Sequence, residues 1–199
     1  MKYAHLISFV LLFGLILLAC NNKKPQEPDP VRRKSPIAIA NIIHQPTDTY
    51  LKIVYGQPYK RGRQIFGNEV PFGETWRTGA NEATELTTTN DIIFAGKRLD
   101  AGTYTLFTIP RKNEPWTIIL SSELGQWGDF EYDPQFDVLR VDVPAKQTQK
   151  ITEAFTIHFP STVSNSTNTP VITDDSTSIV MIWDQTKVTI PVEFIGGTD

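Results

Sequence analysis

Residues 103–120 read Thr103-Tyr104-Thr105-Leu106-Phe107-Thr108-Ile109-Pro110-Arg111-Lys112-Asn113-Glu114-Pro115-Trp116-Thr117-Ile118-Ile119-Leu120. Two β-branched and aromatic runs flank a proline-bounded polar break, and both runs have strand length. This composition predicts a β-hairpin, closed by Pro110 and the loop Arg111 to Glu114. Working outward, the same alternation recurs on both sides. Leu51, Ile53 and Tyr55 share one face of a strand ending at Gly56-Gln57-Pro58. A threonine-rich run, Ala83 to Thr89, is separated by Asn90-Asp91 from Ile92-Ile93-Phe94, with turn residues at Ala95-Gly96-Lys97 and Asp100-Ala101-Gly102. Further on, Leu139, Val141 and Val143 oppose Arg140 and Asp142, and Phe155, Ile157 and Phe159 oppose Thr156 and His158.

Two final strands are read at Ser178 to Trp183 and Lys187 to Phe194, with Val188, Ile190, Val192 and Phe194 facing inward. Pro191 lacks a backbone donor and so marks a sheet edge or a bulge. The Ser/Thr/Asn-rich stretch Pro160 to Thr177 reads as an exposed loop. No amphipathic helix pattern interrupts the series. The sequence therefore predicts an all-β fold, a single β-sandwich or jelly-roll-like domain over residues 37–199 with about nine or ten antiparallel strands.

The chain ahead of this domain has a different character. Lys2 precedes an apolar run from Leu6 to Leu18, which ends in Leu17-Leu18-Ala19-Cys20. That is the pattern of a lipoprotein signal peptide over residues 1–19 with a lipobox, and it makes Cys20 the lipidation site. A spanning helix is the other reading, but the run is shorter than the roughly 20 residues a bilayer demands. Cys20 is the chain's single cysteine, so neither an intrachain disulfide nor a CxxC site can form. Residues 20–36 are the lipidated cysteine and a proline-rich flexible tether. Asn21 and Asn22 carry no acidic inner-membrane retention signal, which favours an outer-membrane anchor facing the periplasm.

Charge narrows the partners. The chain has 19 basic and 22 acidic residues; residues 1–19 hold one lysine and no acid, and residues 21–35 carry a net +3. Removing both leaves −7 on the remainder, which argues against a nucleic-acid partner. The tether's positive charge can lie against anionic headgroups or serve as a plain soluble spacer.

Three passages stand apart from ordinary strand-and-turn sequence: Lys60-Arg61-Gly62-Arg63-Gln64-Ile65-Phe66-Gly67, Val70 to Thr84 with its core Trp76-Arg77-Thr78-Gly79-Ala80-Asn81-Glu82, and Leu99 to Pro110. Together with Trp116 to Ile119, Trp127-Gly128, Tyr132-Asp133 and Asp137 to Val141, they resemble the domain of unknown function 2911 family over nearly the whole domain. The resemblance implies a secreted or lipid-anchored envelope β-protein, and it implies no mechanism. Asp100 stands where the family typically has proline, and the polar insert near Ser161 to Thr177 is a second departure.

Candidate chemistry concentrates in Trp76 to Glu82. Gly79 permits a left-handed backbone or a close approach. Around it, Arg77 is suited to an anionic group, Asn81 to a hydroxyl or amide, and Trp76 to stacking on a sugar. The competing structural reading is an Arg77–Glu82 salt bridge with Trp76 plugging one end of the sandwich. Arg63, in the basic loop with Lys60 and Arg61, is the further anion-binding candidate; Lys60 and Arg61 themselves read as solvated. Trp127, in the loop Ser121 to Phe136, would form an aromatic platform if exposed near Trp76. Tyr104 reads as a tyrosine-corner residue, and Trp116 and Trp183 as core.

Catalytic templates are missing from the sequence: no Gly-x-Ser-x-Gly elbow and no His-Glu-x-x-His. His5 leaves with the leader, His44 falls in a turn and His158 points outward, which is a poor metal set. Asp129, Glu131, Asp133 and Asp137 lack EF-hand spacing and read as a solvated loop. No cofactor or metal site is expected. The leading expectation is a non-enzymatic binding or scaffolding lipoprotein taking an envelope glycan or small molecule. Its rivals are a carbohydrate-active hydrolase pairing Glu82 with Asp133 or Asp137, and a purely structural module.

Overall fold

The computed structural model describes residues 33–160 and 169–196. The leader, Cys20, the tether as far as residue 32 and residues 161–168 of the polar insert lie outside them. The hairpin forms as read. Strands β6 (Gly102–Ile109) and β7 (Trp116–Ser121) pair antiparallel with Leu106 opposite Leu120 and Thr108 opposite Ile118. They belong to a seven-stranded sheet. On one side follow β3 (Thr84–Thr88), β2 (Thr49–Gly56), β1 (Ile37–His44) and β10 (Val171–Ile172), and on the other β8 (Asp137–Val143). The second sheet has four strands: β5 (Lys97–Leu99), β4 (Ile92–Phe94), β11 (Ser176–Phe194) and β9 (Ala145–His158).

The apolar faces meet between the sheets. Ile42, Leu51, Ile53, Leu86, Leu106 and Ile118 come from the seven-stranded side; Phe94, Phe155, Ile157, Val188, Ile190 and Val192 come from the other. Both sheets and this core lie wholly within the compact unit of residues 34–199. The all-β sandwich is thus established, with a tally and a pairing that differ from expectation. Among the described residues eleven strands form, and β1 pairs with β10 in parallel. The two final strands join into the single β11. At Asp184 the backbone turns left-handed (φ 51°), and the register shifts on either side of it, so a bulge carries the strand across what reads as a turn. Lys60 holds this bulge, its Nζ 2.6 Å from Asp184 Oδ2, and is therefore an anchored rather than a solvated lysine.

Pro191 lies just past the last β9 pair, Val188 with Ala145, and the last β4 pair, Val192 with Phe94. There only its carbonyl is used, accepting from Ala95 N. A missing donor costs nothing at such a ladder end. Tyr104 Oη donates to Asp100 O at 2.9 Å, closing the turn ahead of β6.

His44 is a correction. It is not in a turn; it ends β1, fully buried (0% exposed), its ring stacked on Phe194 at 4.2 Å. Nδ1 meets Thr47 Oγ1 at 2.7 Å, whereas Nε2 has no hydrogen-bond partner among the described residues and lies 3.8 Å from the exposed Asp175 carboxylate. Burial lowers its pKa below the ordinary 6.5, with Asp175 opposing. The unfolded chain takes up a proton near pH 6.5 that the folded chain refuses, so stability falls as pH drops through that value toward the folded pKa. Urea unfolding from pH 7.5 to 5 should show wild type losing stability, by at most about 1.4 kcal/mol per pH unit from this group, more steeply than His44→Asn. Parallel profiles for the two proteins would count against this assignment.

Candidate functional site

Between β2 and β3 the chain makes a long excursion, residues 57–83, that closes one end of the sandwich. It touches both sheets. Lys60 N donates to Glu153 O and Phe155 N to Pro58 O on the β9 side, while Trp76 and Thr108 exchange both backbone hydrogen bonds on the β6 side. Ile65, Val70 and Trp76 point into the core from it.

The Trp76 ring lies within the aromatic packing of this end, only 6% exposed. It stacks near-parallel to Trp183 at 6.0 Å, meets Phe155 at 5.2 Å, and donates Nε1 to Gly79 O at 3.2 Å. Trp76 is therefore a plug, as in the structural reading, and its ring faces are occupied by protein rather than open to a sugar.

Gly79 earns its place by close approach, not by a left-handed backbone. A Cβ there would lie 2.9 Å from Gly56 O and 3.1 Å from Thr84 Oγ1. The left-handed positions are its neighbours Thr78 (φ 57°) and Asn81 (φ 66°). For the β-branched Thr78 this conformation is strained, and it is held by hydrogen bonds from Thr78 Oγ1 to Trp76 O and from Thr84 Oγ1 to Thr78 O.

A second loop, residues 122–136, lies against this excursion. Ala83 N donates to Gln126 O and Gly128 N to Asn81 O, so Glu82 and Trp127 face each other as an isolated antiparallel bridge. Tyr132 packs on Phe107 at 5.0 Å, covering the outer side of β6 and β7. Where the two loops meet is a cleft of about 380 Å³, lined among others by Arg63, Glu74, Trp76, Arg77, Asp129 and Phe130.

The candidates thus divide. Arg63, Trp76 and Arg77 share the cleft. Asn81, Glu82 and Trp127 lie beyond it, with Glu82 on a neighbouring groove and Trp127 62% exposed. Phe130, which the sequence reading passed over, supplies the aromatic rim in place of Trp127. Its only sequence signal is an aromatic between acids, Asp129 and Glu131, in a loop.

The two arginines differ in commitment. Arg63 pairs with Glu69 and donates to Tyr59 O at 2.7 Å and Lys60 O at 3.1 Å, so it ties its own loop together. Arg77 Nε, by contrast, is buried without a hydrogen-bond partner among the described residues. A buried donor left unmatched costs about 1–3 kcal/mol, and Arg77 is also one of the residues lining the cleft.

The carboxylates proposed for hydrolysis are occupied locally. Asp133 caps the short 3-10 turn Pro134–Phe136 by accepting from Gln135 N, and Asp137 accepts from Tyr132 Oη at 3.0 Å and Arg140 Nη1 at 2.7 Å. Among the described residues, no three His, Cys, Asp or Glu side chains are grouped to hold a metal.

The family described as "Protein of unknown function (DUF2911)" matches residues 38–192. The chain belongs to this family. The DUF2911 match covers both sheets from β1 to all but the last residues of β11, and so includes both loops that build the cleft. Comparison with curated proteins gives no match, and comparison with solved structures gives none. For this DUF2911 domain, the side chains themselves carry any statement about chemistry.

Proposed function

We propose that the protein is a lipid-anchored envelope lipoprotein, acylated at Cys20 and facing the periplasm from the outer membrane, whose sandwich binds a small anionic ligand or envelope glycan without catalysing a reaction. The observation that carries the binding reading is Arg77 in the lining of the cleft, its Nε buried with no hydrogen-bond partner among the described residues. A guanidinium stays charged at every physiological pH and prefers a planar carboxylate or phosphate. The volume, about 380 Å³, falls within the range of small-molecule sites, and the strained Thr78 backbone beside Arg77 is the kind of cost that persists where a loop must hold a set shape. The anchoring reading rests on Lys2, the apolar run Leu6 to Leu18 and the lipobox Leu17-Leu18-Ala19-Cys20.

One set of preparations tests both halves. Metabolic labelling with palmitate should mark wild type and leave Cys20→Ser blank; equal labelling removes the anchor. Calorimetric titration with muropeptides and envelope glycans should give at least one binder whose affinity drops tenfold or more in Arg77→Ala, with circular dichroism confirming an intact fold. If the folded variant binds every tested ligand as wild type does, or wild type binds none, the cleft is structural.

A further inference from the structure

Five large apolar side chains on one part of the domain are held out to solvent: Ile37 and Ile39 on β1, and Leu124, Trp127 and Phe130 on the 122–136 loop. Trp127 is 62% and Phe130 83% exposed, in a protein whose other three tryptophans are each at most 6% exposed. Single exposed apolar residues are ordinary, but a group with two aromatic rings marks an interaction surface. Ile37, Trp127 and Phe130 are linked through the two hollows at this place, since Trp127 bridges Glu82, which lines the same groove as Ile37. A shallow groove of about 210 Å³ is lined by Ile37, Val54, Gly125 and Gln126 together with the carboxylates Glu82 and Glu85, and Ser35 shares the cleft lining with Phe130. The chain entering the domain therefore arrives at this patch, where Lys34 O accepts from Arg61 Nη2.

We propose that this patch is the face the domain lays on the bilayer, with Trp127 and Phe130 seated at the headgroup–acyl boundary of zwitterionic lipid. The anchoring reading enters only as the means of delivery. Cys20 and Ile37 are 17 residues apart, a span of at most about 60 Å however the intervening chain runs. A domain leashed that closely meets the membrane at an effective concentration on the order of mM, so weak interfacial affinity suffices. Indole and phenyl rings favour this boundary. Asp129 and Glu131, flanking Phe130, and Glu82 and Glu85 in the groove oppose an anionic surface, which is why neutral headgroups are the chosen partner.

Trp127 is its own reporter, since the other indoles are buried. In vesicles of phosphatidylethanolamine and phosphatidylcholine carrying brominated acyl chains, the lipidated protein should show quenched, blue-shifted emission and protection from iodide. Trp127→Phe should abolish the bromolipid effect. A chain of residues 20–199 bearing Cys20→Ser, whose folded unit is unaltered, should show the same quenching at mM lipid and lose it on hundredfold dilution; Phe130→Asp should lower that affinity at least fivefold. Absent palmitate labelling would remove the anchor but leave this titration able to decide the patch. Conversely, a labelled, vesicle-bound protein whose Trp127 is blind to bromolipid and open to iodide would overturn the patch and spare the anchor. Iodide protection without lipid, together with a dimeric sedimentation profile, would give the surface to a second copy and overturn it too.

Discussion

Gly56→Ala is expected to prevent this protein from folding or to destabilise it by about 3 kcal/mol or more. The new Cβ would lie 1.8 Å from Ala80 O and 2.9 Å from Ala80 C, both backbone atoms that no rotamer change can move. Ala80 cannot retreat. Its N–H donates to Gly56 O at 3.1 Å, and Gly79 beside it already approaches Gly56 O so closely that a Cβ there would sit at 2.9 Å. The end of β2 and the excursion are thus interlocked main chain to main chain. Two glycine substitutions elsewhere calibrate the claim. Gly79→Ala meets contacts of 2.9 and 3.1 Å and should cost less; Gly62→Ala has open space but a φ of 72°, so only backbone strain of about 1 kcal/mol opposes it. Denaturant midpoints should rank the three in that order, and a Gly56→Ala protein within 0.5 kcal/mol of wild type would show that the interlock is loose.

Much of the fold was legible because inward positions fall on one parity along each regular strand segment. Leu51, Ile53 and Tyr55 are all buried, and so are Val188, Ile190, Val192 and Phe194, as period-two alternation requires. The misses share a cause, since each depends on a partner far away in sequence. Asp184-Gln185-Thr186-Lys187 has the composition of a turn, but Lys60 reaches it across the sandwich and keeps β11 continuous through a bulge. His44 reads as a turn residue, but it ends β1 and Phe194 covers its ring. The two-residue strand β10 pairs in parallel with β1 and leaves no periodicity to detect.

The site divides along the same line. Residue types in Trp76 to Glu82 singled out a segment of which Trp76 and Arg77 line the cleft, because indole, guanidinium, glycine and amide together are rare in plain strand sequence. Their assignment to inside or outside could not be read there. The backbone bridge between Glu82 and Trp127 brings the 122–136 loop alongside, turns Trp127 outward and sets Phe130 on the cleft rim, whereas Trp76 turns inward against Trp183. Arg63 read as a further anion-binding candidate, but Glu69 and two carbonyls take it up, whereas Arg77 Nε is buried without a hydrogen-bond partner among the described residues.

Trp76→Ala should cost about 3–5 kcal/mol, a large share of the roughly 5–15 kcal/mol that holds a typical domain together. The deleted indole leaves a void against Trp183, Phe155 and Phe66, and those flat rings cannot close it without breaking their own packing. It also strands Gly79 O, which the indole Nε1 satisfies. Trp76→Phe separates the two losses: most of the ring contact survives while the carbonyl is left unmatched, so a smaller penalty of about 1–3 kcal/mol is expected. The comparison bears on the cleft as well. Because Trp76 acts as wall and not as stacking face, a ligand that loses affinity in Trp76→Ala should keep it largely in Trp76→Phe, whereas Arg77→Ala should lose affinity while keeping most of its stability. Urea unfolding of all three variants beside one titration series reads out both axes. Trp76→Ala unfolding within 1 kcal/mol of wild type would mean that the excursion closes the sandwich without its plug.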